Sequence, residues 1–312
     1  MKLFQYISLD KDSQVLLDEG LPQKVSLTMV NRNGTEEQQL EQFLDCEIAF
    51  GNIPAVWIDK SPVIKWLQLE SVGYEPYLDI LPAFNKRGTI TNLQGFFGLP
   101  VAETAIAGLL SLKRGINKLI SLKEKKEWRD NSFRANLTTL YGAKTLIAGG
   151  GNIGQSFKKI LSGFDAETVI YDKNPDFADI VSVNEFDNYL STADIIFSSL
   201  PENVRTDCFF DERRFRLMKP TAIFINAGRG TVVDESALIR MLDEKLIAGA
   251  VLDVTCREPL PSDDKLWDCP NLILTQHTGG GSRNELKGKV EIFLENLDLY
   301  VNNKTLTRQV QI

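Results

Sequence analysis

The sequence predicts an α/β protein whose larger part is a doubly wound parallel sheet. Three observations point there. From residue 144 onward, short β-rich apolar runs at 144–148, 167–171, 194–198, 222–226, 248–254 and 272–275 alternate with helical patterns. Many apolar, β-rich runs separated by helical patterns suit strands covered on both faces, as parallel strands are. The first run also opens directly into Gly149-Gly-Gly-Asn-Ile-Gly154, a glycine-rich turn between a strand and a helix. Finally, residues 2–92 show a second, separate alternation of short apolar runs and amphipathic stretches.

In chain order, residues 2–8, 24–29, 47–50 and 64–70 read as strands, and 12–19 and 36–45 as helices. A single long helix is expected over 101–128. Ala102, Ala105, Ile106 and Leu109 fall on one of its faces, and Leu112, Ile116 and Leu119 continue that face. Such length predicts packing across a domain or subunit boundary. A loop at 136–142 precedes the second strand series, and 286–301 reads as a closing amphipathic helix. Neither a solenoid-length repeat nor a low-complexity segment interrupts this pattern.

A chain of 312 residues is long enough for about two domains, each with its own core. Hydrophobic residues at 43% and charged residues at 25% match ordinary globular proteins and exclude a disordered or fibrous chain. A net charge of -7 argues against nucleic acid as the main partner, since phosphate binding needs clustered cations. The basic run 123–126 is interrupted by Glu124 and reads as a solvated helix face. Cys46, Cys208, Cys256 and Cys269 lie far apart without a CxxC pair, so neither a metal knuckle nor a disulfide framework is expected. With no signal peptide and no membrane-length apolar run, the expectation is a cytoplasmic protein with reduced thiols and no membrane partner.

The glycine segment has the context that a dinucleotide fingerprint requires. Gly149 permits the tight turn, Gly151 lets backbone approach a pyrophosphate, and Gly154 allows close packing of helix on strand. Amides at the helix start, Asn152 and Ile153 among them, then point at the phosphates with the helix dipole behind them. The next strand ends in Tyr171-Asp172, near the spacing of about 20 residues at which an acid accepts ribose hydroxyls. Asp172 would repel a 2′-phosphate, which favours NAD over NADP, while the adjacent Lys173 weighs the other way.

Ligands of open parallel sheets bind beyond the carboxyl ends of the strands. There the sequence places Arg229, Asp253, Glu258 and His277. His277 is the sole histidine, and histidine suits proton exchange near neutrality, as needed when hydride arrives at a carbonyl carbon. Glu258 precedes Pro259, which biases it toward extended backbone; bonded to the imidazole, it would fix the tautomer. Arg229, between two glycines, presents a planar fork suited to a carboxylate. Asp253 either accepts a bond from a nicotinamide amide or caps the following turn.

These stretches resemble the D-isomer-specific 2-hydroxyacid dehydrogenase family over nearly the whole chain. They are Gly149-Gly-Gly-Asn-Ile-Gly154, Leu200-Pro201 with Thr206, Asn226-Ala-Gly-Arg-Gly230 leading to Val233-Asp-Glu-Ser-Ala-Leu238, the segment 253–260, and Thr275-Gln-His277. Upstream, Ser71-Val-Gly73, Asn92 and Val101-Ala-Glu103 also fit.

The resemblance implies hydride transfer between NAD(H) and a small 2-oxo or 2-hydroxy acid of D configuration. His277 would be the acid/base, Glu258 its partner and Arg229 the substrate-orienting cation, with backbone amides near Val72 and Gly73 holding the substrate carboxylate. The cofactor would lie against Gly149, Gly151, Asn152, Ile153, Gly154, Asp172, Leu200, Pro201, Ala227, Arg229, Asp253, His277 and Gly279. The implied architecture is a Rossmann-type doubly wound sheet, residues 99–283, inserted into a smaller flavodoxin-like α/β substrate domain of residues 1–98 and 284–312. Hinges would fall near 95–100 and 279–282, and a homodimer would form through 101–128.

The sequence departs from the family in places. Gln276 stands where proline is common, and Glu75 with Leu78 replaces a frequent pair of aspartates. The run 257–261 with Leu266-Trp267 is similar to glyoxylate and hydroxypyruvate reductases. Two rival functions share the fold. Formate dehydrogenase carries glutamine where this chain has Glu258, and a corepressor-like NAD(H)-sensing protein would use the cofactor only to expose an interaction surface.

Overall fold

The computed structural model describes residues 1–310, which divide into two units. Met1–Phe96 and the described residues from Ser282 onward form one, and Phe97–Gly281 form the other, inserted in the first. Among the described residues the strands form two parallel sheets, of five and six strands.

In the first unit the chain runs β1 (Lys2–Gln5), α1 (Lys11–Gly20), β2 (Ser26–Met29), α2 (Glu36–Leu44), β3 (Ile48–Phe50), α3 (Ala55–Lys60), β4 (Trp66–Gln68), α4 (Leu81–Phe84) and β5 (Thr89–Thr91). Side chains start the helices: Asp10 accepts the Ser13 N–H at α1, and Thr35 with Gln38 closes a reciprocal capping box at α2. The strand order β2-β1-β3-β4-β5 is the flavodoxin-like order. Phe4, Phe43, Trp57 and Phe84 fill one core cluster. Leu3, Trp66 and Leu17 fill another with Val290, Phe293 and Leu297 of the C-terminal helix, Glu285–Val301. Phe293 stacks on Phe50 at 4.4 Å and on Trp66 at 5.2 Å between ring centroids, which ties that helix to this sheet. The elements α3, α4 and β5 are absent from the sequence reading because each is too short for a hydrophobic period to show.

The second unit opens with a correction. Residues 101–128 are not one helix: α5 (Gly98–Lys113) and α6 (Ile116–Glu124) are separated by Gly115, whose φ of 65° is left-handed. A glycine in that conformation ends a helix without a Cβ penalty, and the Arg114 N–H closes on Leu110 O. Trp128 lies past α6 and is 99% exposed. The expected buried face of α5 does form, with Val101, Ala102, Ala105, Ile106 and Leu109.

The chain continues through β6 (Lys144–Ala148), α7 (Asn152–Ser162), β7 (Glu167–Tyr171), α8 (Val183–Leu190), β8 (Ile195–Ser198), α9 (Glu212–Leu217), β9 (Ile223–Asn226), α10 (Glu235–Asp243), β10 (Gly249–Leu252) and β11 (Leu272–Leu274). Their order, β11-β10-β9-β8-β6-β7, reverses direction after β7, so the switch point lies between β6 and β8. One face is covered by α5 and α7 through Ile106, Leu109, Phe157 and Leu161. The other is covered by α8, α9 and α10 through Phe186, Phe215, Leu238 and Met241. Covered on both sides, the inner strands β6, β8, β9 and β10 are buried along almost their whole length, as their apolar-rich composition allows.

Candidate active site

Register places the candidate residues together. Tyr171, Ala148, Ser198, Asn226, Leu252 and Leu274 pair in one row across the six-stranded sheet. Each is the last residue of its strand, and the residues just beyond the row are Asp172, Gly149, Leu200, Ala227, Arg229, Asp253 and His277.

Gly149 leaves β6 with φ 101°, a conformation that side chains rarely adopt, and its N–H donates to Tyr171 O at 2.8 Å. A Cβ at Gly154 would fall 2.0 Å from Gly149 O, so α7 can start this close to the strand only with glycine there. A Cβ at Gly151 would instead meet nothing within 4 Å. Open space therefore lies before the amino end of α7, whose first turn, at Asn152 and Ile153, has no side-chain cap. Uncapped amides, the helix dipole and free approach fit a pyrophosphate. Asp172 stands at the rim: one carboxylate oxygen accepts the Gly150 N–H at 2.7 Å and the other the Asn174 N–H at 2.9 Å. Its position and charge suit ribose hydroxyls. Ser199, which the sequence reading passed over, donates through Oγ to Gly149 O at 3.2 Å and braces the turn at the switch point.

On the other side of the row, Nδ1 of His277 lies 2.6 Å from Oε2 of Glu258. An ionised carboxylate only accepts, so Nδ1 donates and Nε2 is left to exchange protons. Both side chains are partly open, at 52% and 36% exposure. Gln276 and His277 are both left-handed, with φ of 55° and 56°. Two consecutive non-glycine residues in that region cost about 1 kcal/mol or more each. Asp253 holds them there: its carbonyl accepts the His277 N–H at 2.5 Å, and its Oδ1 accepts Thr275 Oγ1 at 2.5 Å and the Gly279 N–H at 3.0 Å. Asp253 therefore does cap the turn that presents His277.

Arg229 follows a turn shaped by buried Asn226, whose Nδ2 donates to Arg229 O at 2.9 Å and whose Oδ1 accepts the Gly228 N–H at 3.2 Å. A cavity of about 420 Å³ opens beside Glu258 and His277, walled by Leu252, Leu260, Trp267 and Leu274. Leu200 and Ala227 are buried, and Thr206 Oγ1 donates to Pro201 O at 2.6 Å, fixing the loop after β8.

Val72 and Gly73 belong to the first unit, in the loop after β4. Asn92 Nδ2 donates to Val72 O and Ser71 Oγ to Gly73 O, both at 2.8 Å, so the carbonyls of this loop are anchored within its own unit. Among the described residues no cluster of three or more His, Cys, Asp or Glu could hold a metal, and no helix is long and apolar enough to cross a membrane. All four cysteines are free.

The NAD-binding domain of the D-isomer-specific 2-hydroxyacid dehydrogenases matches residues 106–279. A glyoxylate reductase from Thermococcus litoralis is 31% identical over 77% of this chain and 75% of its own. Among solved structures, a D-isomer-specific 2-hydroxyacid dehydrogenase family protein from Aeromonas salmonicida superposes with a TM-score of 0.84, at 25% identity over 99% of this chain and 98% of that one. D-lactate dehydrogenase with NAD+ from Lactobacillus jensenii gives 0.80, at 25% identity over the full length of both. With a matching domain, a relative above 30% identity and the same two-sheet fold, the chain belongs to the D-isomer-specific 2-hydroxyacid dehydrogenase family of NAD-dependent oxidoreductases.

Proposed function

We propose that this protein reduces a small 2-oxo acid to the D-2-hydroxy acid with NADH, or runs the reverse reaction, with His277 as the acid/base. The observation that carries the reading is the 2.6 Å contact between His277 Nδ1 and Glu258, on the same sheet edge as the glycine turn. When bound, the nicotinamide supplies or accepts the hydride. In reduction, His277 Nε2 delivers the proton that the carbonyl oxygen takes up, a contribution of roughly 10²–10⁴-fold for a well-placed acid. Glu258 holds the ring in the tautomer that leaves Nε2 facing the substrate. The Arg229 fork grips the substrate carboxylate and polarises the adjacent carbonyl.

Gly149, Gly151, Asn152, Ile153 and Gly154 would hold the cofactor's pyrophosphate, Asp172 its ribose hydroxyls, and Leu200, Pro201, Ala227, Asp253 and Gly279 its nicotinamide end. Backbone amides of Val72 and Gly73, in the loop after β4, are assigned to the substrate carboxylate on the family pattern. Glyoxylate and hydroxypyruvate head the candidates, supported by the Thermococcus relative's name and by the run 257–261. The enzyme is assigned to the cytoplasm as a homodimer joined through α5 and α6, where Ile116, Leu119 and Ile120 are exposed apolar residues.

The test is a spectrophotometric screen of glyoxylate, hydroxypyruvate, pyruvate and branched 2-oxo acids with NADH and NADPH, followed by chiral analysis of the product. NADH oxidation with at least one acid and a D product are expected. Oxidation of formate with no turnover of any 2-oxo acid, or no turnover at all while NADH tightens binding to another protein, overturns the reading.

A further inference from the structure

Glu258 does not reach His277 from a regular element; it stands in the loop after β10, so something must hold that loop. Part of the answer is internal. The Thr255 N–H donates to Glu258 Oε1 at 3.0 Å, and Thr255 Oγ1 donates to Arg257 O at 2.9 Å, which folds the loop back on itself. The rest comes from the segment that follows Arg229.

Gly230 is packed backbone to backbone against the loop: a Cβ there would fall 2.0 Å from Thr255 C and 2.4 Å from Cys256 N. Five residues on, Oε1 of Glu235 accepts the Cys256 N–H at 2.7 Å. Cys256 Sγ reaches Val233 O at 3.7 Å, a third contact between the same two segments. Glu235 is not needed to cap α10, because Asp234 already accepts the Ala237 N–H at 3.0 Å. Nor is its location comfortable for a carboxylate: burial pushes its carboxyl up, and Glu258 and Asp264 add to that, against the lowering bond from Cys256. A half-buried acid held in such a place answers to the loop it grips.

We propose that Glu235 is a positioning residue, whose grip on the Cys256 amide holds the Glu258 loop on the Arg229 segment so that Glu258 faces His277. The inference rests on the acid/base reading of His277 and Glu258. It gives the segment 229–235 two tasks, presenting the cation and setting the carboxylate that orients the acid.

Because His277 is the sole histidine, the imidazole nitrogen signals of tag-free protein report on one ring without ambiguity. The variants are Glu235→Gln, Glu235→Ala, Glu258→Ala and the double Glu235→Ala/Glu258→Ala, with Glu235→Met as the substitution that keeps bulk and loses the acceptor if the alanine variant does not fold. Expected results are a kcat about tenfold lower for Glu235→Ala or Glu235→Met at unchanged NADH affinity, and rescue to within about threefold by Glu235→Gln, which keeps an accepting oxygen. The imidazole nitrogens should shift from a single Nδ1–H tautomer toward the mixture seen in Glu258→Ala, and the Glu235→Ala loss should vanish in the Glu258→Ala background. Wild-type kcat and nitrogen shifts in Glu235→Ala, failure of Glu235→Gln to rescue, or an undiminished loss in the double variant each overturn the role of Glu235 alone. Wild-type kcat in Glu258→Ala overturns the acid/base pair, and the role of Glu235 with it.

Discussion

His277 and Glu258 stand nineteen residues apart in sequence and 2.6 Å apart in space, because β10 and β11 are neighbouring parallel strands and the loops that follow them carry the two side chains. The pair therefore sits where ligands of such sheets bind. His277→Ala is expected to lower turnover by about a hundredfold or more while leaving NADH affinity nearly unchanged. Glu258→Gln, which leaves the ring in place with a weaker partner, is expected to cost roughly 10–100-fold. Steady-state kinetics with fluorescence titration of NADH checks both, and a normal rate in His277→Ala removes it from the mechanism.

Asp172 is held at the rim of the glycine turn by two backbone amides, so on the proposed reading its charge would stay in place against a 2′-phosphate. Asp172→Ser is expected to weaken NADH binding about tenfold, as befits loss of a charged hydrogen-bond partner, and to improve NADPH use. The ratio of kcat/KM for the two cofactors measures it. An unchanged ratio means that Asp172 does not discriminate.

At Gly154 the obstacle to any side chain is backbone, 2.0 Å from where the Cβ would stand, and backbone yields less than a flexible side chain. Gly154→Ala is expected to destabilise the protein by about 1–3 kcal/mol, the usual cost of overpacking, and to abolish measurable NADH binding. Thermal denaturation with and without NADH shows whether the cofactor still raises Tm.

Burial, reinforced by the Glu235 carboxylate, pushes the Cys256 thiol up to about 12. A raised thiol value means less thiolate at any given pH, and the thiolate is the nucleophile. At pH 8 Cys256 should be alkylated by iodoacetamide on the order of a thousandfold more slowly than a thiol of ordinary acidity. Peptide mass spectrometry over a time course reads this, and rapid labelling would contradict the raised thiol value.

Although burial works the other way, bonds from Lys219 at 2.7 Å and the Lys144 N–H at 2.9 Å hold the Asp194 carboxyl below its usual range. A carboxyl depressed on folding stabilises the native state above its unfolded value, near pH 4, and that stability is lost as pH falls through the folded value. Asp194→Asn should therefore lower Tm at pH 7 and flatten the decline as pH falls below about 4. A wild-type slope in the variant would assign acid sensitivity elsewhere.

What could be read along the chain was whatever depends on near neighbours. The runs 144–148 and 167–171 coincide with β6 and β7 because each packs an apolar, β-rich stretch into a few consecutive residues, a signal that a parallel strand carries along its own length. The glycine spacing at 149, 151 and 154 is legible for the same reason: turn, approach and packing are met within six residues. The division at Gly115 was hidden because the hydrophobic face of α5 continues in Ile116 and Leu119, so period alone ran the two helices together. Left-handed backbone at Gln276 and His277 runs against local preference, and it exists only because Asp253, from the adjacent strand, supplies the bonds that hold it. Glu235 likewise looks like an ordinary first-turn acid until Cys256, twenty-one residues on, is folded against it. Periods and turns are short-range and survive in a linear string, whereas the contacts that aim the reactive side chains are sums over segments that meet only when the sheet is assembled.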